Sequence, residues 1–172
     1  MEGNFYKNPL VIIWKAKNNL MPLYLVVIAL IFLVGTIVGA FYIDIIDFSS
    51  FQIEEYFSVS STGLTLTLAL FVAGKSAFNK EELKVLAQYE NKEFKKGQAL
   101  IDFIGPYVFT SALFLATGLV SVFGPFIKVN LDPIILVLMK IFYINLLSLG
   151  LLSLFNLVIT MLNDVYSAAN RN

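Results

Sequence analysis

The side chains with any chemistry to offer are concentrated near the C-terminal end of the chain. From residue 134 to residue 162 the sequence carries one charge, Lys140, and a set of polar residues at helical spacing. Asn145, Ser148, Ser153, Asn156, Thr160 and Asn163 share one side at about 100° per residue, with Asn145, Asn156 and Asn163 within about 20° of one another. The opposite face is Leu, Ile, Phe and Val. Amides and hydroxyls aligned along an apolar helix can do one of two things. They can line a narrow water-filled path, most effectively where several copies converge on an axis. Or they can bond to neighbouring helices, each bond contributing about 0.6 kcal/mol on average.

Lys140 has two readings as well. An ammonium at the centre of a membrane helix costs about 2.5–3.5 kcal/mol on insertion scales and marks a functional site by default. It would then pair with Asp44, Asp47 or Asp132 at an outer mouth, gating a path or biasing it toward anions. Alternatively the bilayer begins near Ile141 and Lys140 snorkels to the surface.

Other chemistry is excluded by inventory. The chain has no His and no Cys, which removes disulfides, thiolate metal sites and imidazole acid–base catalysis. No nucleophile–base constellation, phosphate loop or pair of acids at membrane depth is present, so neither an enzyme nor a cofactor is expected. The acidic loop around Asp44–Glu55 could collect cations but lacks the D-x-D-x-D-G spacing of a calcium loop. Lys plus Arg and Asp plus Glu number 12 each, giving no reason to expect nucleic acid as a partner.

The elements that position these residues are membrane spans. Only 14% of residues are charged and 58% are hydrophobic, against about 25% charged in soluble domains; mean hydropathy is +0.80. Four apolar runs are long enough to cross: 21–42, 56–74, 103–123 and 134–162. The last reaches about 43 Å as a helix, against a hydrocarbon core of about 30 Å. Before the first run, 1–20 holds Asn8-Pro9, a good helix start, then a short apolar stretch with Trp14. This segment is either an interfacial helix with Trp14 at headgroup level or an apolar tail of the bundle. No cleavable signal peptide is evident.

Small residues offer helix contacts: Gly35 and Gly39 form a G-x-x-x-G in the first span, and Ala69, Ala73 and Ala77 a ridge in the second. Thr110, Thr117, Ser121 and Gly124 form a weakly polar stripe in the third, whose entrance is Gly105-Pro106. Segment 75–102 is the only sizeable polar stretch. It predicts one or two short amphipathic helices, with Asn79 and Glu82 spaced as a capping box and Gly97 as a stop.

Orientation follows from Lys and Arg. The 1–20 segment, the 75–102 loop and the 163–172 tail together hold ten of them, and the other side only Lys128 and Lys140. Both termini and the 75–102 loop are therefore expected in the cytoplasm, the acidic 43–55 loop and the 124–133 turn outside, and the protein in the inner (plasma) membrane. Lys92, Lys95 and Lys96 mark the charged loop as a docking surface for a cytoplasmic partner. The mixed signs of this loop argue against simple lipid-headgroup binding.

One likeness covers about half the chain. Ser60-Ser61, then Leu68-Ala69-Leu70-Phe71 with Gly74-Lys75-Ser76, a charged loop, then Tyr107, Ala112-Leu113-Phe114 and Gly118-Leu119-Val120 are similar to small four-span membrane proteins of phage exclusion and anti-phage defence, of the lambda Rex type. The resemblance implies a membrane component that depolarises or permeabilises the host bilayer, or senses its disturbance and signals to a cytoplasmic partner. It implies no catalytic residue.

The sequence thus predicts an all-α polytopic membrane protein of four transmembrane helices with a short cytoplasmic amphipathic helical loop. Its first functional expectation is a homo-oligomer that conducts ions or perturbs or senses the membrane. The alternatives are a non-conducting anchor or sensor subunit that recruits a soluble partner through 79–102, and a small immunity or transporter-accessory protein.

Overall fold

The computed structural model describes residues 8–43, 45–76, 80–90, 97–127 and 131–169. Asp44, Ala77, Asn79, Lys92, Lys95, Lys96 and Lys128 lie outside the described residues. The chain is all-α, with helices α1 (Pro9–Lys15), α2 (Leu23–Phe41), α3 (Phe57–Ser76), α4 (Lys80–Gln88), α5 (Gln98–Phe123) and α6 (Pro133–Ala169). Short 3-10 turns at Ile53–Tyr56 and Gly124–Phe126 lead into α3 and out of α5. Four stretches, Leu23–Phe41, Ile53–Ser76, Gln98–Phe126 and Pro133–Asp164, are helical, long and apolar enough to cross a membrane.

Three of these helices, α3, α5 and α6, pack on one another, while among the described helices α2 packs only on α6. α5 is the most enclosed. At the centre of the trio the Phe114 ring of α5 is wedged between Gly63 of α3 and Gly150 of α6. Tyr143 and Leu147 pack around it, with Leu64 and Leu154 outside them. Helix association in lipid has no hydrophobic drive of its own, since lipid tails are as apolar as Leu. Glycines that let a large ring enter the contact are how such a trio gains dispersion.

Helix ends follow local chemistry. Asn8 Oδ1 accepts from Leu10 N at 2.9 Å with Pro9 in the first turn of α1. Asp132 Oδ1 does the same for Ile134 N at 2.8 Å, with Pro133 opening α6. Gly97 has φ +81°, a left-handed conformation that glycine adopts without penalty. It marks the break between the polar segment and α5.

Two boundaries differ from those expected. α5 begins at Gln98 rather than residue 103, so Pro106 lies inside the helix rather than at its entrance. An interior proline costs the bond to the carbonyl four residues back, here that of Asp102, close to the helix end where water can replace it. α6 continues through 163–169 instead of ending at 162. No breaker follows residue 162 to stop it.

The short N-terminal helix belongs to the bundle. Ile12 of α1 and Ala16, which caps it, are buried against Ile101 of α5, with Leu20 and Val108 alongside. Gly105 makes room for the Ala16 methyl. Gln98 Nε2 donates to Lys15 O at 3.2 Å and to Asp102 Oδ1 at 2.7 Å, closing the same junction. Trp14 points away, 72% exposed, with Lys17 Nζ 5.0 Å from its ring centre.

Candidate functional site

The polar side chains between the spans pair off across interfaces, and the pairing has a common logic. On α5, Thr110 Oγ1 donates to Pro106 O at 2.8 Å and meets Ser153 Oγ of α6 at 2.6 Å. A threonine hydroxyl has one proton, already used within α5, so Ser153 is the donor. Ser121 Oγ likewise donates to Thr117 O at 3.0 Å, so Tyr143 donates its phenol proton to Ser121 Oγ across 2.6 Å. Thr117 Oγ1 donates to Leu113 O and accepts from Ser60 Oγ of α3 at 3.0 Å. On α2, Thr36 Oγ1 donates to Leu33 O and accepts from Asn145 Nδ2 at 2.9 Å. Each receiving hydroxyl spends its proton on its own helix and offers a lone pair to the neighbour.

The asymmetry makes a prediction. Ser121→Ala strands the Tyr143 phenol, which cannot turn back to its own backbone, and is expected to destabilise by about 1–2 kcal/mol. Tyr143→Phe leaves Ser121 bonded to Thr117 O and should cost about 0.6 kcal/mol. Unfolding by SDS titration in detergent micelles measures both, and equal losses would contradict the assigned donor.

The six-residue seam of α6 divides accordingly. Asn145 faces α2 and Ser153 faces α5. Ser148 and Asn156 are half-buried, and Asn163 is exposed. Thr160 donates to its own helix, at Asn156 O. Of the small residues, Gly39 packs on Ile46 of the following loop, and Gly35 faces open space. Ala69 is exposed and Ala73 half-buried.

Lys140 sits at the acidic end of the bundle. Its Nζ donates to Phe48 O at 2.7 Å and lies 5.7 Å from the Phe51 ring centre. Phe51 stacks on Tyr56 at 5.1 Å and meets Tyr143 edge-on at 6.0 Å. One ammonium and a knot of aromatic rings thus fasten the 45–52 loop over the trio. Counting from the hydrogen-bonded pairs along these antiparallel helices puts Phe41, Ile53 and Gly124 at the height of Lys140. The other three spans therefore begin or end at its level, and α6 alone projects beyond.

The two described acids assigned to this mouth bond locally. Asp132 caps α6. Asp47 accepts from Ser49 N at 2.8 Å and Ser49 Oγ at 2.6 Å. These bonds, and to a lesser degree the Lys140 charge, hold the Asp47 carboxyl below its ordinary value. A lowered carboxyl favours the folded turn at pH above its ordinary value, and that contribution disappears as pH falls through the lowered one.

Between α5 and the start of α6, beneath residues 51–54, runs an open groove of about 810 Å³ that Lys140 and Glu54 help to line.

Comparison with protein families, with characterised proteins and with solved structures found no relative of this chain.

Sequence reasoning reached the Thr110–Thr117–Ser121 stripe and the α6 seam through their spacing. It missed Ser60, Thr36 and Tyr143 as their partners, and Gly63 and Gly105 as contact points. Single glycines and a lone tyrosine carry no periodic signal; only the facing helix reveals them.

Proposed function

We propose that the protein is a non-conducting anchor or sensor subunit of the inner membrane that recruits a soluble cytoplasmic partner through segment 79–102. The observation that carries this reading is the use of the interior polar groups. Ser60, Thr110, Thr117, Ser121, Tyr143, Asn145 and Ser153 bond to one another or to Thr36 across helix interfaces, as a fixed scaffold requires, rather than facing a common passage. The lysine excess on the 1–20, 75–102 and 163–172 segments turns that side toward the cytoplasm. There α4 packs on α5 and leaves Lys84 exposed beside Val85, which is 62% exposed. An apolar residue flanked by charge on a short helix suits a protein partner. The likeness to phage-exclusion proteins supplies the setting, a defence system that reports membrane disturbance.

The test is capture of cytoplasmic proteins by the full chain in detergent. Wild type is expected to hold one partner in stoichiometric amount, and Lys84→Glu with Val85→Glu to lose it while still inserting. Lys92, Lys95 and Lys96 reversed to Glu should act in the same direction. Binding retained by all these variants ends the reading.

A second reading, a conducting homo-oligomer, is favoured by Asn156 and Asn163. They lie on the same stripe as Asn145, and their side chains take no partner across a helix interface among the described residues. Ion flux in liposomes that Asn156→Leu abolishes without loss of assembly would establish it. Absence of flux in wild type removes it.

A further inference from the structure

The groove at the acidic end has the shape, depth and charge of an amphiphile site. Its volume of about 810 Å³ falls in the roughly 300–1,000 Å³ range of small-molecule sites. Its floor and walls are apolar: Val120 on α5, and Met139, Phe142 and Leu146 on α6. From the level of Lys140 to Leu146 the α6 wall of the groove descends about 9 Å, within one leaflet of a ~30 Å hydrocarbon core.

The charged groups that line the groove, Lys140 and Glu54, stand at the mouth with Gln52, and the Tyr143 hydroxyl is taken up by Ser121. Lys140 is half-buried, and its one hydrogen bond goes to a neutral carbonyl. An ammonium has three N–H donors, so two remain. Among the described residues no carboxylate is within ion-pair distance of it. A cation and an anion at the mouth of an apolar groove within one leaflet complement a zwitterion with a tail.

We propose that this groove holds one zwitterionic glycerophospholipid, an acyl chain lying in the α5–α6 cleft, its phosphate on Lys140 and its ammonium at Glu54. The site is independent of the cytoplasmic partner, at the opposite end of the bundle. Bound there, the lipid bridges the 3-10 turn at Glu54, α5 and α6, adding to the hold that Lys140 and the aromatic rings already have on the loop.

The full chain is reconstituted in vesicles of equal parts phosphatidylethanolamine and phosphatidylglycerol, extracted in mild detergent and weighed by native mass spectrometry. One phosphatidylethanolamine per chain is expected. Lys140→Met should lower its occupancy about tenfold, the equivalent of one charge-assisted hydrogen bond, and Lys140→Arg should retain it. Glu54→Gln should erase the preference over phosphatidylglycerol. Leu146→Trp fills the groove without touching the mouth and should expel the lipid. Occupancy unchanged in both Lys140→Met and Leu146→Trp, or equal retention of the two lipids by wild type, overturns the proposal. So does a lipid-independent dimer that shields the groove.

Discussion

Gly63→Val is expected to separate α3 from α5 and to destabilise the bundle more than any other single substitution between the spans. A Cβ at this position would overlap the edge of the Phe114 ring. The ring cannot retreat: it is 1% exposed, and a Cβ at Gly150 on its far side would already stand 3.2 Å away. Overpacking of a filled interior costs about 1–3 kcal/mol and occasionally more, and the confined ring places this site at the upper end. Three serine–threonine–tyrosine bonds lie on the interfaces that meet at Phe114, so the loss spreads to them. SDS-titrated unfolding in micelles measures it. Phe114→Leu in the Gly63→Ala background should recover most of the stability, because it removes the overlapping atoms. A Gly63→Val protein as stable as wild type would mean that α3 and α5 do not approach as closely as described. Phe114→Ala alone should cost less than the roughly 3–5 kcal/mol typical of soluble cores, because in lipid the transfer part of that figure vanishes and only packing is lost.

Gly105→Leu is expected to detach α1 while leaving the spans assembled. Here too an added Cβ would overlap its neighbour, the Ala16 methyl, but the consequence differs. α1 has seven residues and is held by a small cluster, Ile12, Ala16 and Ile101, so a penalty of about 1–3 kcal/mol rivals everything that docks it. The helix then leaves as a body. The chain has no cysteine, so Ile12→Cys with Val108→Cys gives a unique thiol pair. Its cross-linking yield should fall to background in the Gly105→Leu protein. Ala16→Gly should restore part of the yield against Gly105→Ala. Cross-linking that persists at full yield in Gly105→Leu would place α1 elsewhere.

Lys140 shows where local and tertiary information part. In the sequence it is the one charge within a long apolar run, so either a buried functional group or a surface anchor. The end points of the other three spans decide its level, and Phe48 O, ninety-two residues away, decides its partner. The α6 seam behaves in the same way. Its spacing shows that it lies on one side of one helix. Asn145 bonds to α2 and Ser153 to α5 because those helices pack against different sectors of that side, which no local pattern encodes.

By itself the sequence determined the all-α class, the four spans and the helix start at Asn8-Pro9. Each of these depends on hydrophobic length or on side chains within a few residues, and such preferences act wherever the chain ends up. Only the tertiary structure decided that α2 stands outside a trio of α3, α5 and α6, that α1 docks on Gly105, and that a groove opens beside Lys140. Those outcomes depend on which helices approach closely enough for a glycine to admit a ring or a methyl. In lipid every apolar face is equally content with tails, so close approach and hydrogen-bond geometry, rather than hydrophobicity, choose the neighbours.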